Sequence, residues 1–443
     1  MVAQILFLLI LVAASWIAYK RFSFVKRNIF FGRKYEAGGD SSVRWKTMFL
    51  IAFGQGKMFS RPLAAVMHLF IYVGFVIINI EVIEILIDGL FGTHRVLSFL
   101  GPVYDFLIAS FEWLALLVII ACVVFFARRN LAKIPRFLSR EITTWPRTDA
   151  NLILITEVLL MTAFLMMNAT DMLLQERGAD HYINAGSFPV SSFIAGLFES
   201  ASDNTLILIE RACWWFHIIG ILGFIVYLTY SKHLHIILAF PNTYYSKLQP
   251  AGELSNLESV TNEVRLMLDP SAPVPQSDGT PQRFGAKDVF DLSWVNLMNA
   301  YSCTECGRCT SECPANQTGK LLSPRKIMMD TRDRMEEIGN NLDKNVSLFA
   351  TSCPSSGTYD DGKSLLRDYI SEEEIWACTS CNACTEACPI NINPLEIIID
   401  LRRYLIMEES KSPESITVMF NNIENNGAPW AMSATDRANW IHE

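Results

Sequence analysis

Eight of the chain's 11 cysteines fall into two runs of identical form, and no other feature constrains the fold as tightly. The first is Cys303-x2-Cys306-x2-Cys309-x3-Cys313-Pro314, and the second is Cys378-x2-Cys381-x2-Cys384-x3-Cys388-Pro389. A cubane 4Fe–4S core needs four converging thiolates. Three closely spaced cysteines wrap one corner, and the fourth arrives from elsewhere. Zinc takes four ligands and has no use for two runs of four at this spacing. Disulfide frameworks belong to short secreted domains, whereas this chain has 443 residues and its cysteines are packed into two places. Two 4Fe–4S clusters are therefore expected. Cys122 and Cys213 lie in apolar stretches and read as small hydrophobes, and Cys353, between the runs, reads as a bystander.

Both runs resemble those of two-cluster ferredoxins, in which the fourth cysteine of each run ligates the other cluster. The resemblance implies one cluster on Cys303, Cys306, Cys309 and Cys388, and another on Cys378, Cys381, Cys384 and Cys313. Helical patterns at 324–338 and 394–408, the absence of strand alternation and the 64 residues between Cys313 and Cys378 are similar to the helical type of such domains, as in succinate dehydrogenase and heterodisulfide reductase.

The whole chain is 51% hydrophobic with only 19% charged residues, which is too apolar for a soluble chain of this size. Residues 2–19 form an apolar run without the basic start and small-residue cleavage site of a signal peptide, so a retained spanning helix is expected. Further spans are expected at 63–90, 103–127, 151–174 and 205–230. Residues 20–61 carry ten Lys/Arg against two acids and 128–147 carry six against one, whereas 175–204 has one Arg and four acids. The positive-inside rule then places the N-terminus outside and the cysteine-rich C-terminus in the cytoplasm, with the spans in the cytoplasmic (inner) membrane. Residues 43–58 are too short and too charged to span, and read as one interfacial helix.

His217 and His235 are eighteen residues apart. On one continuous fifth span that is five turns, which puts both on one face about 27 Å apart. His68 lies on the second span, seven residues in from Arg61. Polar side chains at such depth are costly and usually functional, and histidines paired across helices are axial ligands of b-type haem. Depth pairs His68 with His235, leaving His217 as the candidate ligand of a second haem. His233 reads as an interfacial polar residue, and His94, His181 and His442 lie in outer loops and the tail. The stretch from His217 to His235 resembles the last span of the nitrate reductase gamma subunit family, which holds two haems b between its second and fifth spans. Where that family has a second histidine, ten residues after the one matching His68, this chain has Ile78.

Glu81, Glu84 and Glu112 are acids within the second and third spans, and Glu157 lies in the fourth. The first three fall near the level of His217. A quinone that exchanges two electrons also exchanges two protons, so these carboxylates are candidate relays beside a quinone. Pairing with Asn79 or Arg211 for helix packing is the competing reading.

From 241 to 283 the chain turns rich in Pro, Ser, Asn and Gln, as a linker with a short helix at 254–268. The stretch from Phe284 to Pro324 and the tail from Glu424 to Trp440 resemble membrane iron–sulfur oxidoreductases related to heterodisulfide reductase. Relatives pass electrons between electron-transfer flavoprotein and quinone. The fused members continue into a domain with CCG repeats, and no CCG occurs in this chain. The expected architecture is all-α. A five-helix transmembrane bundle (1–240) and the linker precede a cytoplasmic helical ferredoxin domain (284–410), and the tail (411–443) docks a partner. No GxGxxG after a strand, P-loop or nucleophile–base pair is visible. The expected role is therefore electron transfer between a cytoplasmic partner, two 4Fe–4S clusters, haem b and the membrane (mena)quinone pool. The expected partners are lipid, quinone, a separate CCG-domain subunit and an electron-transfer flavoprotein, with no nucleic acid. Quinol-driven reduction of a cytoplasmic disulfide or sulfur acceptor, and a membrane-anchored redox sensor, are the alternatives.

Overall fold

The computed structural model describes residues 1–271, 273, 283–344, 359–433 and 435–442, so Cys353 and the linker prolines Pro275 and Pro281 lie outside the described residues. Among the described residues the fold is helical and contains no strand. Extended backbone pairs only as isolated bridges, Arg33 with Ser293 and Leu366 with Ile370. The all-α expectation holds. Two compact units form. One comprises Met1–Arg27, Ser41–Tyr244 and Tyr301–Gly307, and the other comprises Asn28–Asp40, Tyr245–Ala300 and Arg308–Glu443.

The first unit contains α1 (Val2–Ile29) as far as Arg27, α2 (Ser41–Met48), α3 (Pro62–Phe91), α4 (Pro102–Asn130), α5 (Trp145–Glu176), α6 (Ser191–Ala195), α7 (Asp203–Leu228) and α8 (His235–Tyr244). Five of these, α1, α3, α4, α5 and α7, are long and apolar enough to cross a membrane. Pro62 and Pro102 open α3 and α4 at positions where the missing N–H is unpaired in any helix. Ile5, Leu9, Trp113 and Leu208 are exposed on these helices, as suits a lipid-facing surface. Inward, Phe7, Ile108, Ala115, Phe164 and Ile218 form a continuous core. Gly74 brings α3 onto α4 so closely that an added Cβ would sit 2.6 Å from a Val118 methyl carbon. Small residues at such crossings are how apolar helices pack without a hydrophobic drive.

Three sequence expectations change here. The first helix continues beyond residue 19 to Ile29 and carries Lys20, Arg21, Lys26 and Arg27 on its last turns. Residues 43–58 are not one helix. α2 runs into a π-turn at Phe49–Phe53, and a 3₁₀ turn follows at Gly56–Ser60, with Gln55 between them in the left-handed region (φ 51°). His235 is not on the fifth span's helix. α7 ends at Leu228, a 3₁₀ turn covers Lys232–Leu234, and α8 begins at His235. Asp149 causes the break by gathering the Tyr227 hydroxyl (2.5 Å), the Ser231 hydroxyl (2.6 Å) and the Lys232 N–H (3.2 Å). The five-turn, one-face relation of His217 to His235 therefore does not apply.

In the second unit, helices Pro324–Lys344 and Pro394–Met407 bury Ile327, Met335, Ile338, Ile397 and Leu401. Arg334 is buried at their side and donates to Asp288 (2.7 Å), Asp361 (2.7 Å) and the Lys363 carbonyl (2.9 Å), so its charge is fully paired. The linker helix occupies Glu258–Leu268. Near the C-terminus, helix Glu414–Asn426 buries no residue, and Trp430 and Trp440 are exposed.

Candidate redox centres

The two cysteine runs share a backbone conformation as well as a spacing. Glu305 (φ 55°) and Gly307 (φ 70°) flank Cys306, and Ser380 (φ 57°) and Asn382 (φ 61°) flank Cys381, all in the left-handed region. Left-handed residues on both sides of the second cysteine curl each run in the same way. Strained non-glycine backbone of this kind is held only where its surroundings over-determine it.

Within the second unit, Cys313 lies beside the second run. Burial pushes the Cys384 thiol up to about 11, and the neighbouring Cys378 and Cys313 sulfurs push the same way. Cys378 is raised by burial too, with Cys313 and Cys381 adding to it. The helical turns Arg308–Ser311 and Ala383–Ala387, one from each run, pack together. Backbone N–H groups point at sulfur, Ser380 at Cys378 (3.4 Å) and Ile392 at Cys388 (3.3 Å). Arg402 donates to the Ile375 carbonyl (2.6 Å) and to the Cys378 carbonyl, which puts a guanidinium against the second run. Neighbouring thiols that repel one another when charged suit an iron–sulfur core, whose positive irons take them as thiolates. Cys381 is exposed, whereas Cys303, Cys313, Cys384 and Cys388 are buried.

In the first unit the rings of His68, on α3, and His235, at the start of α8, lie 6.3 Å apart between centroids. An atom bound to one nitrogen of each ring at about 2 Å would set the centroids about 6 Å apart. His68 Nδ1 is 3.1 Å from Gln55 Oε1, and His235 Nδ1 is 3.2 Å from the Lys232 carbonyl. Metal-ligating histidines are held through the other ring nitrogen in this way. The residues thus fit an axial pair. His233 also joins this cluster, 5.3 Å from His235 between ring centroids.

His217 is buried apart from that pair. Its Nδ1 lies 3.0 Å from the Leu160 carbonyl, and its ring packs 5.9 Å from Phe164. Ile78 is part of the apolar core.

The three span carboxylates are buried but differ in their surroundings. Glu112 accepts from the Val190 N–H (2.8 Å), the Ser191 N–H (3.0 Å) and Asn168 (3.2 Å). Glu84 accepts from the Leu97 N–H (2.8 Å) and the Tyr104 hydroxyl (2.9 Å). Glu81 is 4% exposed, and its Oε2 has no hydrogen-bond partner. It lines a cavity of about 150 Å³ together with Glu84, Arg95, Asp171, Trp214 and Trp215. Neither Asn79 nor Arg211 reaches these acids. Asn79 donates to the Phe75 carbonyl, and Arg211 pairs with Glu210.

Several residues of this polar layer escape a sequence reading. Arg95 donates to Asp171 (2.5 Å), Tyr104 (3.1 Å) and Asn168 (3.0 Å), and His94 Nε2 lies 3.2 Å from Asp171. Asp171 and Asn168 lie inside the fourth span, so the rule that singles out Glu81 applies equally to them. Arg95, Lys232 and Glu305 carry no such signal, because they lie in loops.

Residues 302–392 match the family described as "4Fe-4S dicluster domain". The chain is 30% identical to "Probable iron-sulfur-binding oxidoreductase FadF" of Bacillus subtilis over 98% of its own length and 61% of that protein's. It is 26% identical to the "EtfAB:quinone oxidoreductase" of Syntrophomonas wolfei over 89% of its own length and 53% of that protein's. Over 29% of its length it is 30% identical to one subunit of a CoB-CoM heterodisulfide reductase of Methanosarcina acetivorans, covering 60% of that protein. The chain thus spans between about half and three-fifths of these relatives. No solved structure matches it. The dicluster domain and these relatives support an electron-transfer role. The chain is a homologue of iron–sulfur oxidoreductases and heterodisulfide reductase subunits, with a 4Fe–4S dicluster domain and five apolar helices that fit a membrane domain.

Proposed function

We propose that this chain carries electrons between a cytoplasmic redox partner and a membrane quinone, through two 4Fe–4S clusters and haem b. The observation that carries the reading is the 6.3 Å approach of His68 and His235, each ring held at Nδ1. His68 and His235 would hold the haem, which supplies a one-electron carrier within the bilayer. Cys303, Cys306, Cys309 and Cys388 would hold one cluster, and Cys378, Cys381, Cys384 and Cys313 the other. His217 is the candidate ligand of a second haem. Exposed Cys381 marks the edge where the partner exchanges electrons.

Quinone comes to this chain from a relative's name, EtfAB:quinone oxidoreductase. The cavity beside Glu81 has room for its head group, since a cavity of about 150 Å³ holds a benzene-sized ring. Trp214 and Trp215 supply apolar walls, and Glu81 supplies a carboxyl oxygen that holds or releases a proton. Glu84 shapes the site, because its oxygens are already engaged, and Glu112, also engaged, holds the backbone at Val190 and Ser191. The basic loops support a cytoplasmic side for the cysteine runs. Trp430 and Trp440, exposed beyond a helix that buries nothing, dock a separate subunit bearing CCG repeats and, through it, a flavoprotein. The same residues serve the reverse direction, from quinol to a disulfide acceptor, for which the match to a heterodisulfide reductase speaks.

An optical redox titration combined with electron paramagnetic resonance of the purified chain tests the reading. Two 4Fe–4S signals and a b-type haem spectrum are expected, with reoxidation of the haem by added quinone. A chain with clusters and no haem would leave it a dicluster protein without a route into the bilayer.

A further inference from the structure

Within the first unit, Lys232 contacts both a candidate haem ligand and the acid that lies between two candidate cluster ligands. Its carbonyl lies 3.2 Å from His235 Nδ1, and its ammonium donates to the Pro146 carbonyl at 2.6 Å. That ammonium is also ion-paired with Glu305, and both side chains are buried. Glu305 stands between Cys303 and Cys306, in the left-handed region at φ 55°. The corresponding residue of the second run is Ser380, with the same backbone conformation (φ 57°) and no charge. The turn itself therefore does not need an acid. The first run has one nonetheless, and it has its own cation, delivered from the residue three before His235.

A buried ion pair is a poor source of stability, since desolvating both charges offsets their attraction. It is a strong source of local potential, because fixed charges act with little screening in a dry interior. A carboxylate between two thiolate ligands opposes the addition of an electron to the cluster they hold, and the ammonium cancels that opposition. Charge and hydrogen bonding around the sulfurs are what set cluster potentials.

We propose that Lys232 is a positioning residue that, through Glu305, sets the reduction potential of the cluster held by Cys303 and Cys306, and so matches it to the haem held by His235. This inference rests on the ligand sets proposed above and is independent of the quinone site. The mirrored charge gives it a signature that a structural role lacks.

The test is a redox titration followed by electron paramagnetic resonance on the full chain in detergent. Glu305→Gln removes the negative charge between Cys303 and Cys306, leaving Lys232 with Asp149 at 3.8 Å, and should raise the potential of one cluster. Lys232→Met removes the positive charge beside Glu305 and should lower the potential of the same cluster. The double variant should return close to wild type, and the cluster that includes Cys378 should stay in place throughout. Shifts of the same sign in both single variants, or no shift in Glu305→Gln, would overturn the proposal. If Lys232→Met fails to assemble clusters, Glu305→Gln and the double variant decide by the same criterion. Wild-type chain without any 4Fe–4S signal would instead overturn the functional reading, so the two failures are distinguishable.

Discussion

His68 and His235 face each other across 6.3 Å, one from the first turns of α3 and the other from the first residue of α8. The pairing depends on the break after Leu228, which Asp149 enforces through Tyr227, Ser231 and Lys232. His68→Ala and His235→Ala should each abolish the same b-type haem, and His217→Ala should leave that haem in place. Optical spectra of the reduced variants check this, and a haem lost from His68→Ala and His217→Ala alike would refute the pairing.

Cys313 belongs by sequence to the first run, yet lies beside Cys378 and Cys384. Cys313→Ser should therefore perturb the cluster of the second run and spare the one held by Cys303, Cys306 and Cys309. Electron paramagnetic resonance of the reduced variant distinguishes the two. Selective loss of the first-run signal would contradict the crossed arrangement.

Glu81 and Glu112 should fail differently. Glu81→Gln removes the one carboxyl of the three with an unpartnered buried oxygen, and should slow quinone-linked turnover about 100-fold with clusters and haem intact. Glu112→Ala strands two backbone N–H groups and Asn168, and should cost on the order of 3 kcal/mol of stability. Quinone turnover and the thermal midpoint of the haem absorbance separate a kinetic from a structural effect. Equal turnover in Glu81→Gln and wild type would remove the relay role.

Lys326 is shared by two carboxylates, Asp330 at 2.6 Å and Glu374 at 2.9 Å. Burial pushes the Asp330 carboxyl up to about 7, and Glu374 beside it pushes the same way, against the pull of Lys326. A carboxyl raised in the folded state contributes stability that is fully present below its ordinary value of about 4. That contribution is lost as pH rises through about 7. Thermal loss of cluster absorbance should therefore shift to lower temperature between pH 5 and about 8, and Asp330→Asn should flatten the change. An unaltered pH dependence in Asp330→Asn would assign the titration to another group.

Removing residues 424–443 takes away Trp430 and Trp440, both exposed, and should leave clusters and haem in place while stopping electron delivery from the soluble partner. Haem reduction by chemical reductant and by partner, measured side by side, checks it. Undiminished reduction by the partner would end the docking role, and loss of the clusters would make the tail part of the folded core.

The sequence alone determined the cluster chemistry, the helical class and the number of apolar spans. Each of these is written in local spacing. Cysteines at fixed intervals can wrap only a small metal core, and runs of some twenty apolar residues have few other fates. The closeness of His68 and His235 was also expected from sequence, because histidines in or beside apolar spans stand out against their neighbours. The spacing argument for His235 fails, since one continuous helix through residue 235 ignores what Asp149, at the start of α5, does to the chain 80 residues later. Contacts of that range decided the rest. They saturate Glu84 and Glu112 while leaving one oxygen of Glu81 unpartnered, and they bring Lys232 to Glu305. Periodicity places a side chain on a face and at a depth. Which oxygen finds a donor depends on backbone N–H groups from loops far away in the chain, and only the folded structure brings them to it.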